Sequence, residues 1–199
     1  MTTLVDNGTY IASPFAPSLE RADVVSAITR GLMQFETIFT DYHRGCEESC
    51  GECEACLRSR DAIAYILSHP DSRAWEVWRM DDEPTLAGVI LLTHVQQGVN
   101  AIAHFAFFDS RLRDKTELLE NMIQWTFTEH PGWKALKRLS IEIPDYAFAL
   151  ARYAYRELGF GGDYVFRQNG KSIAVEGIKR KAFGWRGVQR DLLLMGRVA

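Results

Sequence analysis

The sequence has no long apolar run. Its richest stretch, Gly88-Val89-Ile90-Leu91-Leu92, is far too short to cross a bilayer as a helix. Residues 1–8 carry no basic flank leading into an apolar segment, so no secretory signal is expected, and the expected setting is the cytoplasm. Charge of one sign is also scarce: 23 Lys and Arg against 26 Asp and Glu leave a net charge of −3 over 199 residues. That balance gives no general electrostatic reason to expect nucleic acid or an anionic membrane as a partner. Repeats, low-complexity tracts and long linkers are missing as well, so one domain over 1–199 is expected. Cysteine occurs only four times, all between positions 46 and 56, which excludes a disulfide framework spread over the fold. What the chain does have is apolar residues, 47%, enough to bury a full core.

The apolar pattern resolves into elements. Val24, Ile28, Leu32, Phe35 and Phe39 recur at three- and four-residue spacings, which predicts a helix over about 18–42. A second helix is expected over 58–68, ending before Pro70. Strands are expected over 74–80, 85–95 and 101–108, the second apolar enough to be buried. A helix over 116–129, a strand over 136–143 and a helix over 146–158 closed by Gly159 follow. Asn169-Gly170 joins two further strands, 163–168 and 172–177, as a hairpin. The stretch from Lys179 to Arg186, with charges interleaved with aromatics, reads as a solvated basic loop before a last strand over 191–198. The order predicts an α/β fold, a mixed sheet with helices on its faces.

Two segments make the order specific. Ala151 and Tyr155, followed by Leu158-Gly159-Phe160, resemble the late helix motif of the GNAT superfamily of acyl-CoA-dependent N-acyltransferases. The tail, Glu176 to Arg180 with Asp191 to Gly196, is similar to the ending of GNAT enzymes that acetylate ribosomal-protein N-termini. An extra hairpin separates it from Leu-Gly-Phe. Gly88 in its buried strand also fits. The resemblance covers roughly residues 74–198 and implies an N-acetyltransferase-like protein. Its donor would be acetyl-CoA, lying where two parallel strands splay apart. Its acceptor would be an amine of a protein or small molecule.

The resemblance also implies a diphosphate cradle of backbone amides at a helix start, reached closely because glycine is common there. The matching segment is Arg113-Asp114-Lys115-Thr116-Glu117-Leu118, preceded by Phe108 at the strand end. Arg113 and Lys115 match basic positions, while Asp114, Thr116 and Leu118 stand where small residues are usual. Asp114-x-x-Glu117 is equally a capping box, in which Asp114 itself satisfies the helix amides. The family's chemistry needs a base for the acceptor ammonium and an acid for the departing thiolate. Tyr155 matches the thiolate-protonating tyrosine, or else simply packs on the sheet. For the base, Glu142 and His104 are the best-placed titratable groups. Alternation puts Glu142 on the face opposite Ile141 and Ile143; His104 is otherwise a satisfied core histidine.

Cys46, Cys50, Cys53 and Cys56, spaced C-x3-C-x2-C-x2-C, suit a tetrahedral zinc site within a Cys-rich insertion at 43–57. Iron–sulfur ligation, a C-x-x-C redox pair and a plain helical face are the alternatives. A GNAT-fold protein without catalysis, acting as a binding or assembly component through this element, is the other expectation for function.

Overall fold

The computed structural model describes residues 5–6, 9–16, 21–32, 53–108, 115–185 and 188–199. Two strands, β1 (Val5–Asp6) and β2 (Tyr10–Pro14), precede helices α1 (Ala22–Leu32) and α2 (Glu54–Ser68). Strands β3 (Arg73–Arg79), β4 (Thr85–Gln96) and β5 (Asn100–Phe107) then lead to α3 (Lys115–Thr126). Strand β6 (Arg138–Pro144) runs through a 3-10 turn, Asp145–Ala147, into α4 (Phe148–Glu157). The chain closes with β7 (Tyr164–Gln168), β8 (Lys171–Val175), β9 (Gly177–Trp185) and β10 (Val188–Val198).

Eight strands form one sheet in the order β1-β2-β3-β4-β5-β6-β10-β9, and β7 with β8 forms a separate two-stranded sheet. Neighbours in the large sheet are antiparallel except β5 and β6, which run parallel across the α3 connection. The expected mixed sheet with helices on both faces is therefore the one that forms.

Alternation along the strands divides the core. On one face Ala101, Ala103, Leu139, Ile141 and Ile143 pack with Leu118 and Met122 of α3 and Ala151 and Ala154 of α4. On the other face, Ala74, Val89 and Ala106 meet Ile28 and Leu32 of α1 and Ile63 and Leu67 of α2. Fully burying each such large aliphatic side chain is worth about 1.5–3 kcal/mol, so each helix is held by its apolar stripe rather than by propensity. In α4 that stripe is Phe148, Ala151 and Ala154, all buried. It ends where Gly159 takes a left-handed φ of 66° and the Phe160 amide donates back to the Ala154 carbonyl.

Three expectations change. No strand is expected before α1, yet β1 and β2 form there; β2 holds only five residues, and its longer partner β3 is distant in the chain, Tyr10 facing Arg79. Helix α2 starts at Glu54 with Cys53 at its N-cap, so the Cys-rich segment expected over 43–57 runs into a helix; residues 43–52 lie outside those described. The basic stretch is not a loop. It is strand β9, paired with β10 from Gly177↔Leu194 to Trp185↔Val188, because charges on an edge strand keep to solvent without giving up the ladder. The hairpin across Asn169-Gly170 forms as expected, both residues at positive φ (50° and 73°) as a two-residue type I′ turn demands.

Candidate active site

Strands β5 and β6 pair only from Asn100↔Arg138 to Ile102↔Ser140. Beyond Ile102, β5 continues to Phe107 paired with β4 alone, and β6 continues to Pro144 paired with β10 alone. The two parallel strands thus fork in the middle of the sheet. Strand β4 breaks register between Thr93 and Gln96, beside the part of β5 still held by β6, with His94 at a φ of 52°. Such bulges sharpen local twist and collect beside functional sites.

The fork decides which side chains meet. Ile102 and Ser140 form the last pair, so two residues further on, on the same face, His104 and Glu142 stand across the gap from each other. This is the face away from Ile141 and Ile143, as alternation implied for Glu142. Glu142 Oε1 accepts from Lys179 Nζ at 2.8 Å, reaching across β10 from β9. His104 Nε2 lies 3.0 Å from Thr93 Oγ1. The residue is exposed, and partial desolvation by the protein around it lowers its pKa from the ordinary 6.5; the charge of Glu142 pulls the other way, and His94 adds to the lowering.

The expected phosphate-cradle residues are placed unevenly. Arg113 and Asp114 lie outside the described residues. Phe108, just past β5, donates its amide to the Ala87 carbonyl at 2.7 Å and presses its ring against Gly31 of α1, where a Cβ would come within 2.6 Å. Lys115 opens α3 with its ammonium 5.5 Å from the centre of the Tyr153 ring. Thr116 Oγ1 is 2.9 Å from Tyr153 Oη. Leu118 is fully buried in the core, so only its backbone is available to a ligand. Burial raises the Tyr153 phenol above its ordinary 10.0 and Glu157 adds to this, while the bond to Thr116 opposes both.

Tyr155 is not the tyrosine that meets α3. It is 40% exposed, and its ring lies beside Gly161. Tyr153, two positions earlier and so on another side of the helix, reaches the start of α3 instead. Sequence reasoning therefore missed Tyr153, and with it Lys179, which had been assigned to a loop. Helix period sets the two tyrosines about 200° apart around the axis, but which of the two sides meets α3 is not written in that period.

Of the cysteines, Cys53 stands at the N-cap position of α2 without a side-chain capping bond and Cys56 is buried in its first turn; Cys46 and Cys50 lie outside the described residues. Among the described residues no group of three or more His, Cys, Asp or Glu converges as a metal site, and no helix is long and apolar enough to cross a membrane. An open groove of about 730 Å³, lined among others by Arg138, Glu176 and Arg197, lies at the opposite end of β6 from the fork.

A mixed sheet forking between two parallel strands, with a helix following each, is the arrangement of the GNAT acetyltransferases, and the chain has that fold. A probable GNAT-family acetyltransferase from Chromobacterium violaceum matches 98% of the chain over 85% of its own length, at 16% identity and a TM-score of 0.64. The Salmonella typhimurium acetyltransferase that modifies the N-terminal serine of ribosomal protein L7/L12 covers 100% of the chain over 99% of its own, at 11% and 0.64. Spermidine N-acetyltransferase from Vibrio cholerae, solved with CoA and spermine, covers 96% over 96%, at 13% and 0.61. No family model and no curated protein matches the sequence.

Proposed function

We propose that the chain is an N-acyltransferase that moves an acetyl group from acetyl-CoA to an amine of a protein or a small molecule. The observation that carries this is the fork between β5 and β6 with His104 and Glu142 facing each other across it. Acyl transfer to an amine needs a slot for an extended thioester, a proton acceptor beside it and a source of a proton for the thiolate. The fork supplies the slot, and its His104–Glu142 face supplies titratable groups on the acceptor side. Acetyl-CoA would lay its diphosphate at the start of α3, against the amides and basic side chains around Arg113, Asp114, Lys115, Thr116 and Leu118, with Phe108 at the strand end. The proton for the thiolate comes from a tyrosine of α4. Tyr155 is the candidate by motif and Tyr153 by its place beside α3. The structural neighbours act on a protein N-terminus and on spermidine, which supports an amine acceptor of either kind.

One observation favours a second reading, a binding or assembly protein without turnover. Thr116 is hydrogen-bonded to Tyr153 and the Leu118 side chain is committed to the core, at positions where a close phosphate cradle wants small residues. Titration calorimetry with acetyl-CoA separates the two. Saturable heat and a raised melting temperature support the transferase; neither heat nor thermal shift at millimolar acetyl-CoA removes it. In the same preparation, purified without oxygen, elemental analysis tests a zinc or iron–sulfur site on Cys46, Cys50, Cys53 and Cys56. Such a site would brace the entry to α2 rather than take part in the transfer. Absence of both metals removes it.

A further inference from the structure

We propose that His104, rather than Glu142, takes the proton from the acceptor ammonium, and that the Glu142–Lys179 ion pair sets the charge beside it. This rests on the acyltransferase reading above. The geometry reverses the order in which the sequence ranks two residues, with Glu142 as the candidate base and His104 as a satisfied core histidine. Glu142 Oε1 accepts from the Lys179 ammonium at 2.8 Å, so an incoming acceptor ammonium would have to share this carboxylate with a cation already bound to it. His104 has one ring nitrogen, Nε2, fixed 3.0 Å from Thr93 Oγ1. With Nε2–H donating to that hydroxyl, the other nitrogen, Nδ1, carries the free lone pair.

The groups that face His104 are Thr93 and His94 from β4 and Glu142 from β6, with Lys179 of β9 acting through Glu142. On this face of the sheet Ile28 and Leu32 of α1 and Ile63 and Leu67 of α2 pack as apolar neighbours. Partial desolvation favours the neutral imidazole, the form able to accept a proton, while the nearby carboxylate stabilises the imidazolium once it forms. In the balanced step, the acceptor R–NH3+ gives one proton to His104, and the free amine attacks the thioester carbon. The C–N bond forms and the C–S bond breaks. The departing thiolate takes its proton from the α4 tyrosine, the second proton from the nitrogen restores that phenol, and the His104 proton goes to solvent. Glu142 and Lys179 are positioning residues in this scheme; they exchange no proton with the substrate.

The test uses the full chain with acetyl-CoA and two probe amines, spermidine and a short serine-initiated peptide. His104→Gln is expected to lower kcat on the order of 100-fold or more, with acetyl-CoA affinity unchanged. Glu142→Gln is expected to keep kcat within about tenfold, as a positioning residue does, and to move the acid limb of kcat/KM to lower pH, because the charge raising the His104 pKa is gone. Lys179→Met should move that limb to higher pH, because Glu142 then acts on His104 uncompensated. NMR titration of the His104 ring should show the same two opposite displacements without any turnover. A transferase in which Glu142→Gln abolishes the rate and His104→Gln spares it overturns the proposal and leaves the function standing. A His104 titration that ignores both Glu142→Gln and Lys179→Met also overturns it. Failure of the wild-type chain to bind acetyl-CoA sinks the function itself, and the assignment with it.

Discussion

Gly88 shows how a single residue holds the sheet together next to the fork. A Cβ at this position would stand 2.5 Å from the Ala106 carbonyl oxygen and 2.9 Å from the Phe107 ring, so β4 and β5 meet too closely for any side chain. Backbone cannot swing aside as a long side chain can. Gly88→Ala is therefore expected to cost on the order of 1–3 kcal/mol by overpacking, read as a lower urea midpoint at unchanged slope. An unchanged midpoint would show that the two strands part freely. At this scale, what the sequence made legible follows from period. Alternation with Ile141 and Ile143 put Glu142 on its face, because side chains on a strand have no other choice. Tyr155 was chosen by motif, and the choice between it and Tyr153 depends on how α4 crosses α3, which no local pattern records.

At the scale of elements, the β7–β8 hairpin was the most legible, and its turn is its most exposed weakness. Gly170 sits at a φ of 73°, where a Cβ meets no neighbour but the backbone itself disfavours an L side chain. Gly170→Ala is expected to weaken the hairpin by about 1–2 kcal/mol. Gly170 lies at the tip of the hairpin, away from Ile173 and Val175, which anchor β8 in the main core, so the effect should stay local. Amide exchange should quicken around the Gln168–Lys171 turn and stay slow in β4 and β5; a global rise in exchange would show that strain at the turn reaches the core through β8. Strand β9 was the least legible element. Its run of Lys and Arg reads as loop, yet an edge strand exposes one row of side chains and one row of backbone groups to water, so charge there is compatible with pairing. The pairing matters for the site, because only as a strand does this segment carry Lys179 to Glu142.

Across the whole molecule, Arg197 ties three parts that are far apart in the chain. Its guanidinium donates to both carboxylate oxygens of Glu120 in α3, at 2.6 and 2.7 Å, and to the Leu158 carbonyl at the end of α4, at 2.8 Å. The hydrogen bond from Arg197 holds the Glu120 carboxyl below its ordinary 4.5, a smaller contribution coming from Gln124. A carboxylate with a lowered pKa in the fold contributes stability above its unfolded value and loses it as pH falls through the folded one. Arg197→Met should therefore cost on the order of 1 kcal/mol near neutrality, the pair being partly exposed. That difference should shrink as the solution is acidified below about 4.5. Denaturation at pH 7 and at pH 3 measures it; a cost independent of pH would mean that packing, not charge, is what Arg197 supplies.

The sequence by itself determined the GNAT-like order of elements from β3 to β8, the helix stop at Gly159, the Asn169-Gly170 turn and the face of Glu142. Each of these is set by a rule that acts over a few residues: a period, a cap, or a required φ. Only the tertiary structure decided that β5 and β6 part after Ile102, that β9 is a strand, and that His104, Glu142 and Lys179 come together. Those meetings join positions up to 75 residues apart in the chain (104 to 179). They depend on strand order, on the register across a parallel pair and on where that pairing stops. None of these leaves a periodic trace in the segments that it joins, because the same alternation serves whichever neighbour a strand finally takes.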